Sequence, residues 1–239
     1  MKPFLVILVF APFIIGCGKP DQKLVPKSVA QTVTISEQNQ RSLFPFAEGN
    51  SWTYLLEIVR QSPNQPRQST NEEIEYKVTK VVKESDDMVR ATISVIQNGK
   101  VMDVQGWSCD KNGIYQNSMK PQPVAYSPKQ PVILFPAKTI GEFNWEGSGL
   151  TPIGKPGTMK YKYKNDGIQQ NVDTEQGSMS ALFMQTEGSF KTSDAIDGKL
   201  IVNSWFTPGV GLIRFRQVVQ VKTVTSSITL RLKSYNVKK

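Results

Sequence analysis

Val89-Arg90-Ala91-Thr92-Ile93-Ser94-Val95-Ile96-Gln97-Asn98-Gly99-Lys100 is the stretch whose reading decides the fold. Val89, Ala91, Ile93 and Val95 alternate with Arg90, Thr92 and Ser94, a period of two that places apolar side chains on one face of a strand and polar ones on the other. Asn98-Gly99 then supplies a two-residue hairpin turn, because Asn and Gly tolerate the positive φ angles such turns need. The chain returns through residues 101–107, and Asp110-Lys111-Asn112-Gly113 turns it again into residues 113–117.

The same pattern extends in both directions. Trp52, Tyr54, Leu56 and Ile58 share one strand face, and Ile74, Tyr76 and Val78 alternate with Glu75, Lys77 and Thr79. Met159, Tyr161 and Tyr163 alternate with Lys160, Lys162 and Lys164, a lysine row of the kind that protects an exposed strand edge. An Asp166-Gly167 turn would bring Asp173 and Glu175 back opposite those lysines. Residues 178–187 and 199–206 read as strands, with Asp197-Gly198 as a turn. In the last two strands, Ile213, Phe215, Val219 and Val221 oppose Arg214, Arg216, Gln220 and Lys222, and Val224, Ile228, Leu230 and Leu232 oppose Thr225, Thr229, Arg231 and Lys233. No stretch has the length and period of a helix. The expected fold is all-β: a single antiparallel curved sheet, a half-barrel or open barrel, with one polar face.

Residues 119–136 hold Pro121, Pro123, Pro128, Pro131 and Pro136. That density predicts a loop crossing from one half of the sheet to the other, since proline lacks the N–H a central strand needs. Leu134-Phe135-Pro136, with Gly141 and Trp145 beyond it, echoes Leu43-Phe44-Pro45 with Gly49 and Trp52, and suggests two related halves.

The start of the chain has a different character. Lys2 precedes an apolar run from Phe4 to Ile15, then Gly16 and Cys17, followed at once by Gly18-Lys19-Pro20-Asp21. A basic start, an apolar middle and a small residue at the cut are the order of a secretory signal. The run is too short to span a bilayer, which takes about 20 apolar residues. Residues 18–42 are polar, carry Pro20 and Pro26, and read as a tether; if flexible it would span roughly 25 to 30 Å. A weak strand at residues 31–35 is the one exception. The expected organisation is a signal at 1–16, a lipidated N-terminus and tether at 17–42, and a β-rich domain at 43–239.

Composition bounds the chemistry. With no histidine in 239 residues, Ser-His-Asp and Cys-His catalysis and histidine-bearing zinc sites are excluded. No metal or cofactor is expected. The two cysteines, Cys17 and Cys109, make no disulfide framework if the first is lipidated, and Cys109 reads as a small buried apolar residue. The net charge of +9 falls by one when Lys2 leaves with the signal. The cations are scattered along the chain, and export removes the protein from nucleic acid, so anionic phospholipid or acidic polysaccharide is the fitting counterpart.

Ile14-Ile15-Gly16-Cys17 resembles the lipobox of bacterial lipoproteins, with Ile15 where a smaller residue is commoner. That resemblance implies cleavage before Cys17 and attachment of a diacylglycerol thioether and an N-acyl chain, such as palmitate, to it. Gly18 rather than Asp after the cysteine implies the outer membrane, facing the periplasm. Two further segments, Phe44-Pro45-Phe46-Ala47-Glu48-Gly49-Asn50-Ser51-Trp52-Thr53-Tyr54 and Trp205-Phe206-Thr207-Pro208-Gly209-Val210-Gly211-Leu212-Ile213, look like the two signatures of a group of envelope lipoproteins of unknown function, with departures at Phe46 and Thr207. The resemblance implies an antiparallel sheet and no activity. Gly49, Gly209 and Gly211 read as tight turns, and Trp52 and Trp205 as core anchors.

The functional expectation is a membrane-anchored, noncatalytic binding or envelope-assembly module. Its partners would be the membrane, through Cys17, and an envelope protein, lipid or glycan. A lipid- or glycan-binding carrier is the alternative, with Trp52, Tyr54, Trp107, Trp145 and Trp205 lining a concavity. A carboxylate-dependent hydrolase finds no preferred residue among Asp103, Glu142, Glu146 and Asp173. Cys17→Ala is expected to leave the full-length precursor uncut and without incorporated palmitate, as read by metabolic labelling and membrane fractionation; a variant that matures and partitions like the parent would refute the lipobox.

Overall fold

The Asn98-Gly99 turn forms as its residues dictate, with φ of 50° and 72°. It joins the strands Val89–Gln97 (β3) and Lys100–Asp110 (β4), paired from Val89↔Cys109 to Gln97↔Lys100. The computed structural model describes residues 41–119, 124–134 and 141–238. The leader, Cys17, the 31–35 segment, Pro121, Pro123 and Phe135-Pro136 lie outside the described residues.

Around that hairpin the chain is a meander. The 3-10 turn Arg41–Leu43 leads to Ser51–Gln61 (β1) and Gln68–Lys83 (β2) before β3 and β4. Gly113–Met119 (β5), Val124–Leu134 (β6), Gly141–Leu150 (β7), Pro156–Thr174 (β8), Gly177–Thr192 (β9), Asp197–Thr207 (β10), Gly211–Val221 (β11) and Val224–Asn236 (β12) follow. Each strand pairs antiparallel with its sequence neighbours, and β1 pairs with both β2 and β12. The sheet is therefore a closed barrel rather than the open sheet or half-barrel expected from sequence. Closure depends on the first strand meeting the last, Ser51↔Asn236 through Gln61↔Thr225, and no local pattern encodes that meeting. With no free edge, the lysines of β8 have no edge to guard. They face Glu142 and Glu146 on β7 and Glu187 on β9, and β8 continues through Asp166-Gly167 with a register shift instead of turning there.

The proline-rich connection is a second correction. β6 occupies residues 124–134 of it and pairs with its sequence neighbours β5 and β7 instead of crossing the sheet. Proline cannot donate to a ladder, and the ladder is thin where Pro128 and Pro131 stand: among the described residues β6 and β7 share the pair Ser127↔Ser148. Side chains close that seam. The Tyr126 ring lies where a Cβ on Gly149 would stand, 2.2 Å from its Cδ1, and its hydroxyl donates to the Leu150 carbonyl at 3.3 Å.

The inward face holds two apolar clusters. One gathers Leu43, Phe44, Trp52, Tyr54, Ile93, Ile114, Phe206, Ile213 and Leu232 where β1 begins and β12 ends. The other gathers Tyr126, Trp145, Met159, Tyr161, Tyr163, Phe190, Leu200 and Val219 from β6 to β11. The 44–50 segment plugs the first end. Phe44 stacks on Trp107 at 4.9 Å, Gly49 N–H donates to Val78 at 2.9 Å, and buried Asn50 accepts from Lys238 N–H at 3.0 Å. Gly49, Gly209 and Gly211 have φ of 87°, 76° and 104°, the turns their residue type implies. Trp52 donates from Nε1 to the Val210 carbonyl and Tyr54 from its hydroxyl to that of Leu212 at 2.8 Å, which ties the β10–β11 turn to β1.

Trp205 departs from its expected role as an inner anchor. It shares the outer face with Phe183 and Arg214, half-buried, with its ring 5.1 Å from Phe183 and the guanidinium 5.3 Å above it. Trp52→Ala should therefore destabilise the protein by about 3–5 kcal/mol in urea unfolding, and Trp205→Ala by less than half as much; equal losses would contradict the inside and outside assignments.

Candidate functional site

The outer wall over β7 to β11 carries a groove of about 860 Å³. Register builds it row by row. Glu146, Lys160, Ser189, Lys199 and Gln220 stand opposite one another in one row across the five strands. Asn144, Lys162, Glu187, Ile201 and Val218 make the next. Glu142, Lys164, Gln185, Asn203 and Arg216 make a third beside it. Side chains of one row are cross-strand neighbours, so charges distant in sequence become adjacent.

Glycine lets this wall lie close to what is beneath it. A Cβ on Gly188 would stand 2.4 Å from Tyr161 Cδ1 and 2.5 Å from the Lys160 carbonyl, and one on Gly198 2.2 Å from the Phe190 ring. With no side chain to prop the strands away from those rings, the sheet can bend there. The apolar cluster beneath the groove is thus its floor, and Trp145, Tyr161 and Leu200 reach its lining. The Trp145 Nε1 is buried with no acceptor among the described residues.

The rim is ionic. Lys160 pairs with Glu146 at 2.9 Å, Lys162 with Glu142 at 2.5 Å and Lys164 with Glu187 at 3.6 Å. The Lys162 hydrogen bond holds the Glu142 carboxyl below its ordinary value. These exposed pairs each contribute little to stability, so they organise the surface more than they hold the fold. Lys191, Lys199 and Lys222 make no ion pair among the described residues and border a second depression of about 360 Å³ that shares Lys160, Ser189, Lys199 and Gln220 with the groove. Lys160, Lys191, Lys199 and Lys222, far apart in sequence, thus border one depression.

The structure separates the five aromatic residues that sequence grouped. Trp52 and Tyr54 are buried inside the plugged end; Trp107 packs beside them on Phe44 and donates to Gln105 Oε1 at 3.0 Å. Trp145 lies in the other cluster, 5.3 Å from Tyr161, and alone of the five lines the groove. Trp205 stands on the outer wall. The four carboxylates are also dispersed. Asp103 faces inward and accepts from Gln105 Nε2 at 3.1 Å, Glu142 and Glu146 are held by lysines, and Asp173 is exposed near the β8–β9 turn. Sequence reasoning missed Ser189, Lys199, Ile201, Val218 and Gln220 as partners of the β8 lysines. Their alternation was legible, but the register that aligns them was not.

An 81% share of this chain matches 98% of a crystal structure of a proposed lipoprotein from Parabacteroides distasonis, with TM-score 0.54 and 15% identity. The likeness is one of fold. Two further crystal structures align less closely: a proposed exported protein with a YmcC-like fold from Bacteroides fragilis, at TM-score 0.39, 14% identity and 80% and 98% coverage, and the hypothetical lipoprotein YmcC from Escherichia coli, at 0.38, 11% and 85% and 91%. No protein-family profile and no curated protein sequence matches the chain.

Burial of phenols beneath the groove has a pH consequence. Burial pushes Tyr126, Tyr161 and Tyr163 well above the ordinary tyrosine range, and Tyr54 likewise; Tyr76 and Tyr115 are pushed up to about 12. Each is neutral in the fold and would ionise on unfolding near pH 10. Their contribution to stability is therefore complete below about pH 10 and lost as pH rises through the folded values. An absorbance titration at about pH 11 should find these six phenols protonated in the folded protein and ionised in urea; ionisation of most of them without unfolding would contradict the packing.

Proposed function

We propose that the chain is a lipid-anchored envelope protein that works as a noncatalytic binding module, and that its ligand is a glycan lying in the groove over β7 to β11. The observation that carries the reading is the lining itself. Lys160, Lys162, Lys199, Glu146, Glu187, Asn144, Gln220 and Ser189 present donors and acceptors around an apolar floor of Trp145, Tyr161, Leu200, Ile201 and Val218. A hydroxyl-rich chain fits such a mixture, since each sugar offers polar edges and an apolar face. An acyl carrier needs an enclosed apolar cleft, whereas both concavities open on the outer wall and are bordered by lysine. The barrel also has apolar residues inside and lysine and glutamate rows outside, the reverse of a membrane-spanning barrel with its outward apolar band.

The lipobox at Cys17 and the fold shared with a proposed Parabacteroides lipoprotein support the envelope anchor. Fold alone assigns no activity, so the site must. The groove carboxylates favour binding over hydrolysis in this reading, because Glu146 and Glu187 are each engaged by a lysine, Lys160 and Lys164.

The test uses the detergent-solubilised mature protein on an array of envelope oligosaccharides. Ile201, 44% exposed in the groove, can carry a larger side chain without disturbing the core. Ile201→Trp should keep the urea midpoint and lose about tenfold or more in retention, with every bound sugar recovered uncut. Unchanged retention would move the site elsewhere, and shortened sugars would make the protein an enzyme.

A further inference from the structure

The lysine-bordered depression beside the groove is an arrangement in search of negative charge. Lys160, Lys191, Lys199 and Lys222 border it, with Asp197 as its one carboxylate. Lys160 is already engaged by Glu146 across the groove, while Lys191, Lys199 and Lys222 have no ion pair among the described residues. Asp197 stands directly opposite Lys191 in the β9–β10 ladder without closing an ion pair with it. Lys222 is held at the depression by the β11–β12 turn, where it adopts a φ of 53°, a conformation that favours glycine or asparagine over lysine. Four lysines and one aspartate around a single depression leave it a local excess of positive charge, which an anion seated there would balance.

We propose that this depression is the anion subsite of the groove and that the glycan is acidic, carrying a carboxylate or phosphate group that seats among Lys191, Lys199 and Lys222. The inference rests on the glycan reading of the groove. Ser189, Lys160, Lys199 and Gln220 border both concavities, so one sugar chain can lie along the groove and deliver its acid group into the depression. Lysine suits the task, because each ammonium is a rotatable point charge that meets the oxygens of either acid. A flat anionic bilayer fits less well, since a planar surface would meet the rim of a recessed site and leave its walls unsatisfied.

The experiment measures binding of the full mature protein to a uronic-acid hexasaccharide, a phosphorylated hexasaccharide, a neutral hexasaccharide, and vesicles of phosphatidylethanolamine with phosphatidylglycerol. One variant carries Lys191→Gln, Lys199→Gln and Lys222→Gln; a control carries Lys77→Gln, Lys80→Gln and Lys83→Gln on β2. At least one acidic hexasaccharide should bind about tenfold or more tighter than the neutral one, lose that advantage in the first variant and in high salt, and keep it in the control. The acid that binds better identifies the group. Neutral and acidic sugars binding equally would overturn the anion subsite and leave the groove reading standing. Equal losses in the two variants would show general surface charge and overturn the subsite. If no hexasaccharide binds, both readings fail, and vesicle binding that depends on Lys191, Lys199 and Lys222 would then make the wall a membrane contact.

Discussion

The pairing of β1 with β12 is the constraint on which the rest of the structure depends. From Ser51↔Asn236 to Gln61↔Thr225 the first strand of the meander lies against the last, and only that seam turns a twelve-stranded sheet into a barrel. Closure removes both free edges, which would otherwise expose unpaired N–H and C=O groups to another chain. It also encloses the apolar face, which an open sheet would leave to water. The entropy of bringing distant ends together rises slowly with chain length, and the ladder formed spans the whole of β1. The plug at residues 43–50 depends on the same seam, because Trp52 and Tyr54, at the start of β1, donate to carbonyls of the β10–β11 turn.

The barrel is not uniform around its circumference. Between β6 and β7 a single residue pair carries the ladder among the described residues, and Tyr126 packed on Gly149 substitutes an aromatic contact for backbone bonds. Opposite in character is the wall from β8 to β10, where glycine lets the sheet lie on Tyr161 and Phe190 and the outward residues form complete rows. The apolar cluster and the charged groove are two faces of the same strands. Tyr161 and Leu200 fill the core, and the lysines one residue away form the groove. The groove therefore lies outside a barrel whose interior is filled by side chains, unlike barrels that hold ligands in their interior.

Inside, one polar ladder runs along β4. Trp107 donates to Gln105, Gln105 to Asp103, and the charge on Asp103 helps raise the phenol of Tyr76. Such a network is stable only because its members satisfy one another. Asp103, one of the carboxylates considered for catalysis, is held by Gln105 and the Val104 N–H, and it stands apart from the glutamates of the groove.

What the sequence by itself determined was local. The alternation in Val89–Gln97, the Asn98-Gly99 turn, the inward placement of Trp52, Tyr161 and Ile213, and the turn glycines at 49, 209 and 211 all follow from residue period and φ preference, which act within a few residues. The lack of histidine was equally plain. Tertiary structure decided which strands meet and in what register. It closed the barrel, admitted a proline-bearing strand at the seam where few backbone bonds are needed, and put Trp205 outside on Phe183. It also set Lys160, Ser189, Lys199 and Gln220 in one line. The physical reason is that a period of two states which side of a strand is apolar, while the neighbour of that strand, and so the composition of any surface site, is set by contacts between residues far apart in the chain.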